Sequence, residues 1–200
     1  MKSDDKPPLG RTPSGTTSDG PSPAPVNGAG AVREVSPAGP AKLILGIDPG
    51  LAGTGFALLS EPNLVLACST VVTIPGRDGA RLLKITNHLR ALIAEHRPAE
   101  ASIEELFMGR NATSAVAVAQ ARGAILTVLE ECGVRVFEYK PSQVKVILTG
   151  YGNADKAQIA RMLVAQVKVP EGRLDDHARD AIAIALCHAR SRRFARALTP

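Results

Sequence analysis

Cysteine is scarce in this 200-residue chain: Cys68, Cys132 and Cys187 only. They are odd in number, far apart, and without the close pairing that metal ligands need, so a disulfide framework and a zinc knuckle are both excluded. The pattern predicts buried thiols in a reducing compartment. Long apolar runs are also missing. No stretch approaches the ~18 uninterrupted apolar residues of a membrane span, so no membrane association is expected. The start lacks the basic-then-apolar pattern of an export signal, which points to the cytoplasm. No internal repeat is visible. Residues 1–40 are poor in large apolar side chains and rich in Pro, Gly, Ser and Thr. Such a segment cannot bury enough surface to offset its ordering entropy, and a disordered N-terminal tail is expected there.

What remains is sufficient for one domain. The net charge is +5. Residues 1–40 contain four Lys or Arg and four Asp or Glu, so the excess lies in residues 41–200. A basic domain suits a polyanionic partner.

Leu43-Ile44-Leu45-Gly46-Ile47 is a short apolar run closed by Asp48 and a Pro-Gly break, the pattern of a buried strand. A carboxylate at the end of such a strand needs a partner or a cation. The alternative is a turn-starting Asp, since Asp-Pro-Gly favours turns. Residues 51–55 read as a glycine-rich turn, residues 56–59 as a second strand and residues 64–74 as a third. Short connections make these an antiparallel meander. Leu82, Ile85, Leu89 and Ile93 recur at helical spacing over residues 79–96. A fourth strand follows over residues 101–106, with Glu104 and Glu105 on opposite faces. Asn111 can cap a small-residue helix through Glu131, apolar nearly all round and so covered on more than one side. Residues 134–138 make a fifth strand. Helices follow over residues 141–148, 155–167 and 175–190. The order predicts an α/β fold, a five-stranded mixed sheet with helices on its faces.

Asp48 and Glu104 sit near the ends of two strands. Asp175, Asp176, His177 and Asp180 open the last helix, with His177 and Asp180 on one face. Ala181, Ile184 and Ala185 continue that face and would dock it on the sheet. Acids at a helix N-terminus have a purely structural explanation. That explanation fits Asp175 or Asp176 but not His177, whose protonated ring is unfavourable there. Carboxylates with an imidazole make a site for Mg²⁺ or Mn²⁺, and two such ions clamp a phosphodiester.

Several motifs stand in one order: Gly46-Ile47-Asp48-Pro49-Gly50, Ile103-Glu104-Glu105-Leu106-Phe107-Met108, Asn111-Ala112, Gln120-Ala121-Arg122-Gly123, Val136-Phe137-Glu138-Tyr139, Gln143-Val144-Lys145, and His177-Ala178-Arg179-Asp180-Ala181. From Leu43 to Ala189 the chain resembles the bacterial RuvC family of Holliday-junction resolvases. The resemblance implies an RNase H-like domain over residues 41–190; residues 191–200, rich in arginine, read as a basic C-terminal tail. It implies a catalytic, metal-binding tetrad of Asp48, Glu104, His177 and Asp180, where many members have Asp in place of His177. Asp176, one position away, stays open as the third ligand. It also implies two Mg²⁺ or Mn²⁺ ions per site, a homodimer formed through the helix of residues 111–131, and a branch-migration motor as partner. DNA contacts are expected from Phe107 at the junction centre, with Arg110 beside it, and from Lys145 and Lys156. The Arg192, Arg193 and Arg196 segment would add nonspecific DNA affinity. Related nucleases acting on RNA or other branched DNA, a non-catalytic junction-binding module, and a sugar-kinase-like phosphotransferase are the rival readings. The chain is too short for the two lobes of the last.

Overall fold

The computed structural model describes residues 42–106, 112–169 and 174–198. Five strands form one sheet: β1 (Leu43–Asp48), β2 (Gly53–Ser60), β3 (Leu64–Val72), β4 (Glu100–Glu104) and β5 (Arg135–Tyr139). Their order across the sheet is β3-β2-β1-β4-β5. The first three are antiparallel, and β4 and β5 run parallel to β1. This is the expected mixed sheet, an RNase H-like arrangement.

Helix α1 (Asp78–His96) and helix α2 (Ala112–Glu131) cover one face. Helices α3 (Pro141–Thr149), α4 (Lys156–Gln166) and α5 (Asp176–Leu198) cover the other. The period-two alternation of the strands divides the core accordingly. Leu45, Ile47, Phe56, Leu58, Ala101 and Ile103 pack under α1 and α2. Ile44, Ala57 and Leu59 pack under α5. Asp48 and Glu104 share the alternation of Ile44 and of Glu100, so both belong to the α5 face.

Three expectations need correction. Residues 53–55 are the first residues of β2, and the turn is confined to the preceding residues. The cause lies in α5. A Cβ on Gly46 would stand 2.1 Å from the Ala181 carbonyl oxygen, and one on Gly55 would stand 2.0 Å from that of His177. The helix backbone lies directly on the strands. Glycine in a strand costs about 0.5–1 kcal/mol relative to alanine, far less than such an overlap would. Second, the segment beginning at residue 191 is no tail. It is the last part of α5, and Arg192 turns inward to Glu61 and to the buried Glu100. Third, the cysteines are free thiols as expected, but only Cys187 is buried; Cys68 is half-buried and Cys132 is exposed. Helix α2 is covered on one side, by Ala121, Ile125, Val128 and Leu129, while Val116 is 59% exposed. Among the described residues no helix is long and apolar enough to cross a membrane.

Candidate metal centre at the strand ends

The turn after β1 is pinned from two sides. The Thr54 hydroxyl donates to the Gly50 carbonyl at 2.6 Å, and the Thr73 hydroxyl donates to that of Leu51 at 2.5 Å. With the turn held by these threonines, Asp48 is free to act elsewhere. Its Oδ2 lies 2.8 Å from Nδ1 of His177, at the start of α5. The far edge of the same imidazole lies over Gly53, where a Cβ would come within 2.6 Å of Nε2.

The acids opening α5 separate into two groups. Asp175 caps the helix, accepting from the Ala178 amide at 2.9 Å and from the Thr70 hydroxyl at 2.7 Å. These bonds hold its carboxyl below the usual range. Asp176 pairs with Arg179 at 2.6 Å and is largely exposed. Both therefore have the structural explanation available to acids at a helix start. His177 and Asp180 turn toward β1, one helical step apart.

Asp48, Glu104 and Asp180 are close enough to disturb one another. Burial pushes the Glu104 carboxyl up to about 7, with the Asp48 and Asp180 charges adding to it and Lys145 opposing. Burial raises Asp48 as well, against the pull of His177 and Lys156. It raises Asp180, again with Asp48 contributing and Lys156 opposing. Three partly buried carboxyls that repel one another, beside an imidazole, form a donor set suited to a divalent cation. Among the described residues no three such side chains are already drawn together into a finished ligand cluster. Asp48 is instead engaged by His177, so an incoming cation would displace that hydrogen bond.

Lys145 on α3 faces Glu104, and Lys156 at the start of α4 faces Asp48 and Asp180. A cavity of about 220 Å³ opens between Lys156, Arg179 and Asp180. A second, of about 470 Å³, is bordered by Glu105, Leu106, Lys140 and Lys145. Phe107 and Arg110 lie outside the described residues. Residue-level reading of the sequence missed Gly53, Gly55 and Thr70. Glycine inside a strand is the available signal, since it often marks a close backbone approach.

A family model described as crossover junction endodeoxyribonuclease RuvC matches residues 44–188. The chain belongs to the RuvC family. A RuvC of Roseiflexus sp. (strain RS-1) is 45% identical over 148 residues, covering 72% of this chain and 88% of that one. A RuvC of Desulfitobacterium hafniense (strain DSM 10664 / DCB-2) is 43% identical over 155 residues, covering 74% and 93%. Among solved structures, T. thermophilus RuvC in complex with Holliday junction substrate superposes with a TM-score of 0.72 at 32% identity, over 77% of this chain and 96% of that one. The yeast mitochondrial Holliday junction resolvase Ydc2 superposes with a TM-score of 0.61 at 12% identity, over 82% and 84%, and shares the fold. As a RuvC-family member the chain is a metal-dependent endonuclease.

Proposed function

We propose that Asp48, Glu104, His177 and Asp180 hold the divalent metal with which this junction-resolving endonuclease hydrolyses phosphodiesters in recombination and repair. The observation that carries this assignment is the hydrogen bond joining Asp48 to His177 beside two further carboxyls of raised pKa. Mg²⁺ or Mn²⁺, two per site in this proposal, would supply an activated water and positive charge against the phosphate. The protein's own groups do the rest. Asp48 and His177 orient each other. Glu104, whose carboxyl sits near 7 and so keeps part of its proton at neutral pH, would become a ligand by releasing that proton. Lys145 and Lys156 hold the phosphates on either side of the acids, as point charges.

The substrate in this proposal is four-way junction DNA, cut symmetrically by a homodimer in the cytoplasm, beside a branch-migration motor. The half-covered helix α2, with Val116 exposed, supports the dimer. A two-fold assembly suits a junction in which two strands of like polarity are nicked. The test is nicking of a synthetic four-way junction with Mg²⁺ and with Mn²⁺, alongside flap and RNA–DNA hybrid substrates. Junction-selective nicking that Asp48→Asn and Glu104→Gln both abolish is expected. Equal activity of the Asp48→Asn protein would refute the assignment.

A further inference from the structure

Tyr151 is an aromatic residue that the assigned chemistry leaves unused. It sits between α3 and α4, and 74% of it is exposed. Exposure of this kind usually accompanies a loose loop, but its backbone is clamped. The Thr149 hydroxyl accepts from the Tyr151 amide at 3.0 Å and lies 3.0 Å from the Tyr151 carbonyl oxygen. Gly150 supplies the left-handed turn (φ 77°) that ends α3 just before it. The protein thus presents a phenol ring to solvent from a fixed base.

The surroundings are cationic. Lys145 precedes the loop and Lys156 follows it, and these are the two lysines facing the carboxylates. The cavity bordered by Lys140 and Lys145 reaches Gly152. A second cavity, of about 310 Å³, is bordered by Tyr151 itself with Gln158 and Arg161. Among the described residues, the ion-paired arginines are Arg81, Arg90, Arg122, Arg135, Arg179 and Arg192. Lys140, Lys145, Lys156 and Arg161 have no acidic salt-bridge partner among those residues. A rigid aromatic ring among cations without a direct ion pair is the combination that single-stranded nucleic acid binds: charges track the backbone and the ring stacks on a base. Duplex DNA offers edges and phosphates, because its base faces are already stacked. Branched DNA offers unstacked faces at its crossover.

We propose that Tyr151 stacks on an unpaired base of the junction and so helps to seat the crossover strand beside the carboxylate site. This rests on the junction-resolving function proposed above. The contact depends on the ring and not on the hydroxyl.

The full chain, which has no tryptophan and only Tyr139 and Tyr151 as tyrosines, permits a direct readout. Tyrosine emission is followed as four-way junction or duplex of the same arm sequence is added in Ca²⁺, and affinity and saturated nicking rate in Mg²⁺ are measured for wild type, Tyr151→Phe and Tyr151→Ala. Junction should quench the wild-type emission and duplex should not. Tyr151→Ala should lose that quenching and weaken junction binding by about tenfold, the order expected for one lost stack, with duplex affinity unchanged. Tyr151→Phe should bind junction like the wild type. Wild-type junction affinity in Tyr151→Ala, or an equal loss for duplex, would overturn the proposal while leaving the nuclease assignment intact. A wild type that neither binds nor nicks junctions would overturn both.

Discussion

Asp48 and His177 stand 129 residues apart in the chain, and Oδ2 of the first lies 2.8 Å from Nδ1 of the second. One contact joins the end of β1 to the first turn of α5. The imidazole fits there because Gly53 has no side chain beneath it.

Gly53→Ala and Gly55→Ala should therefore fail in different ways. The nearest atoms to a new Cβ at position 53 are ring atoms of His177, with Nε2 at 2.6 Å. The ring can swing aside, so nicking should fall steeply while the melting temperature changes little. At position 55 the new Cβ meets the His177 carbonyl oxygen at 2.0 Å, which is backbone. The whole start of α5 must lift, at a cost of about 1–3 kcal/mol for overpacking. Thermal melting beside single-turnover nicking separates the two. Equal stability losses would contradict the close-packed geometry.

Glu104 should make the metal-free protein sensitive to pH. Its folded pKa, about 7, lies above the ordinary carboxyl value of 4.5. Between those values the folded state binds more protons than the unfolded one, so this group's contribution to stability falls as pH rises. Relative to wild type, Glu104→Gln should gain stability across that interval in EDTA. Adding Mn²⁺ should raise the wild-type melting temperature more at pH 7.5 than at pH 5.5, because binding must expel the proton. A constant difference between the two proteins from pH 4.5 to 7.5 would show that Glu104 is not so perturbed.

Arg192 should matter for stability and not for chemistry. It joins Glu61 to the buried Glu100, while His188 approaches Glu100 from the same helix at 3.2 Å and Arg135 from β5 at 2.6 Å. Arg192→Ala removes one member of a buried charge network, a change that costs about 3 kcal/mol. Chemical denaturation should register the loss. Nicking per folded molecule at low temperature should match wild type, since α5 remains docked by its alanine-rich face.

The strands and helices were legible from hydrophobic periodicity, to within a few residues at most ends. The exceptions have physical causes. Gly53 and Gly55 carry turn chemistry in any one-dimensional reading, and only the helix lying on them explains their place in a strand. The basic segment after Arg190 resembles a solvated tail because charge patterning cannot show that Glu100, on a strand far back in the chain, waits beneath it. Cys132 was expected inside for its residue type, yet it follows a helix end at the surface.

Taken alone, the order of apolar and polar residues determined the α/β architecture and drew attention to Asp48, Glu104 and the acidic start of the last helix with His177, because carboxylates at strand ends and an imidazole at a helix start are costly without a purpose; the set Asp48, Glu104, His177 and Asp180 came from the family resemblance. The sequence left Asp176 open beside His177, although the helix-start explanation fits only the first and the family motif favours the second. The tertiary structure separates the two side chains: helical geometry turns Asp176 outward to Arg179 and swings His177 onto Asp48. Burial, which no linear pattern records, is what lifts Glu104, with the neighbouring Asp48 and Asp180 charges adding to it.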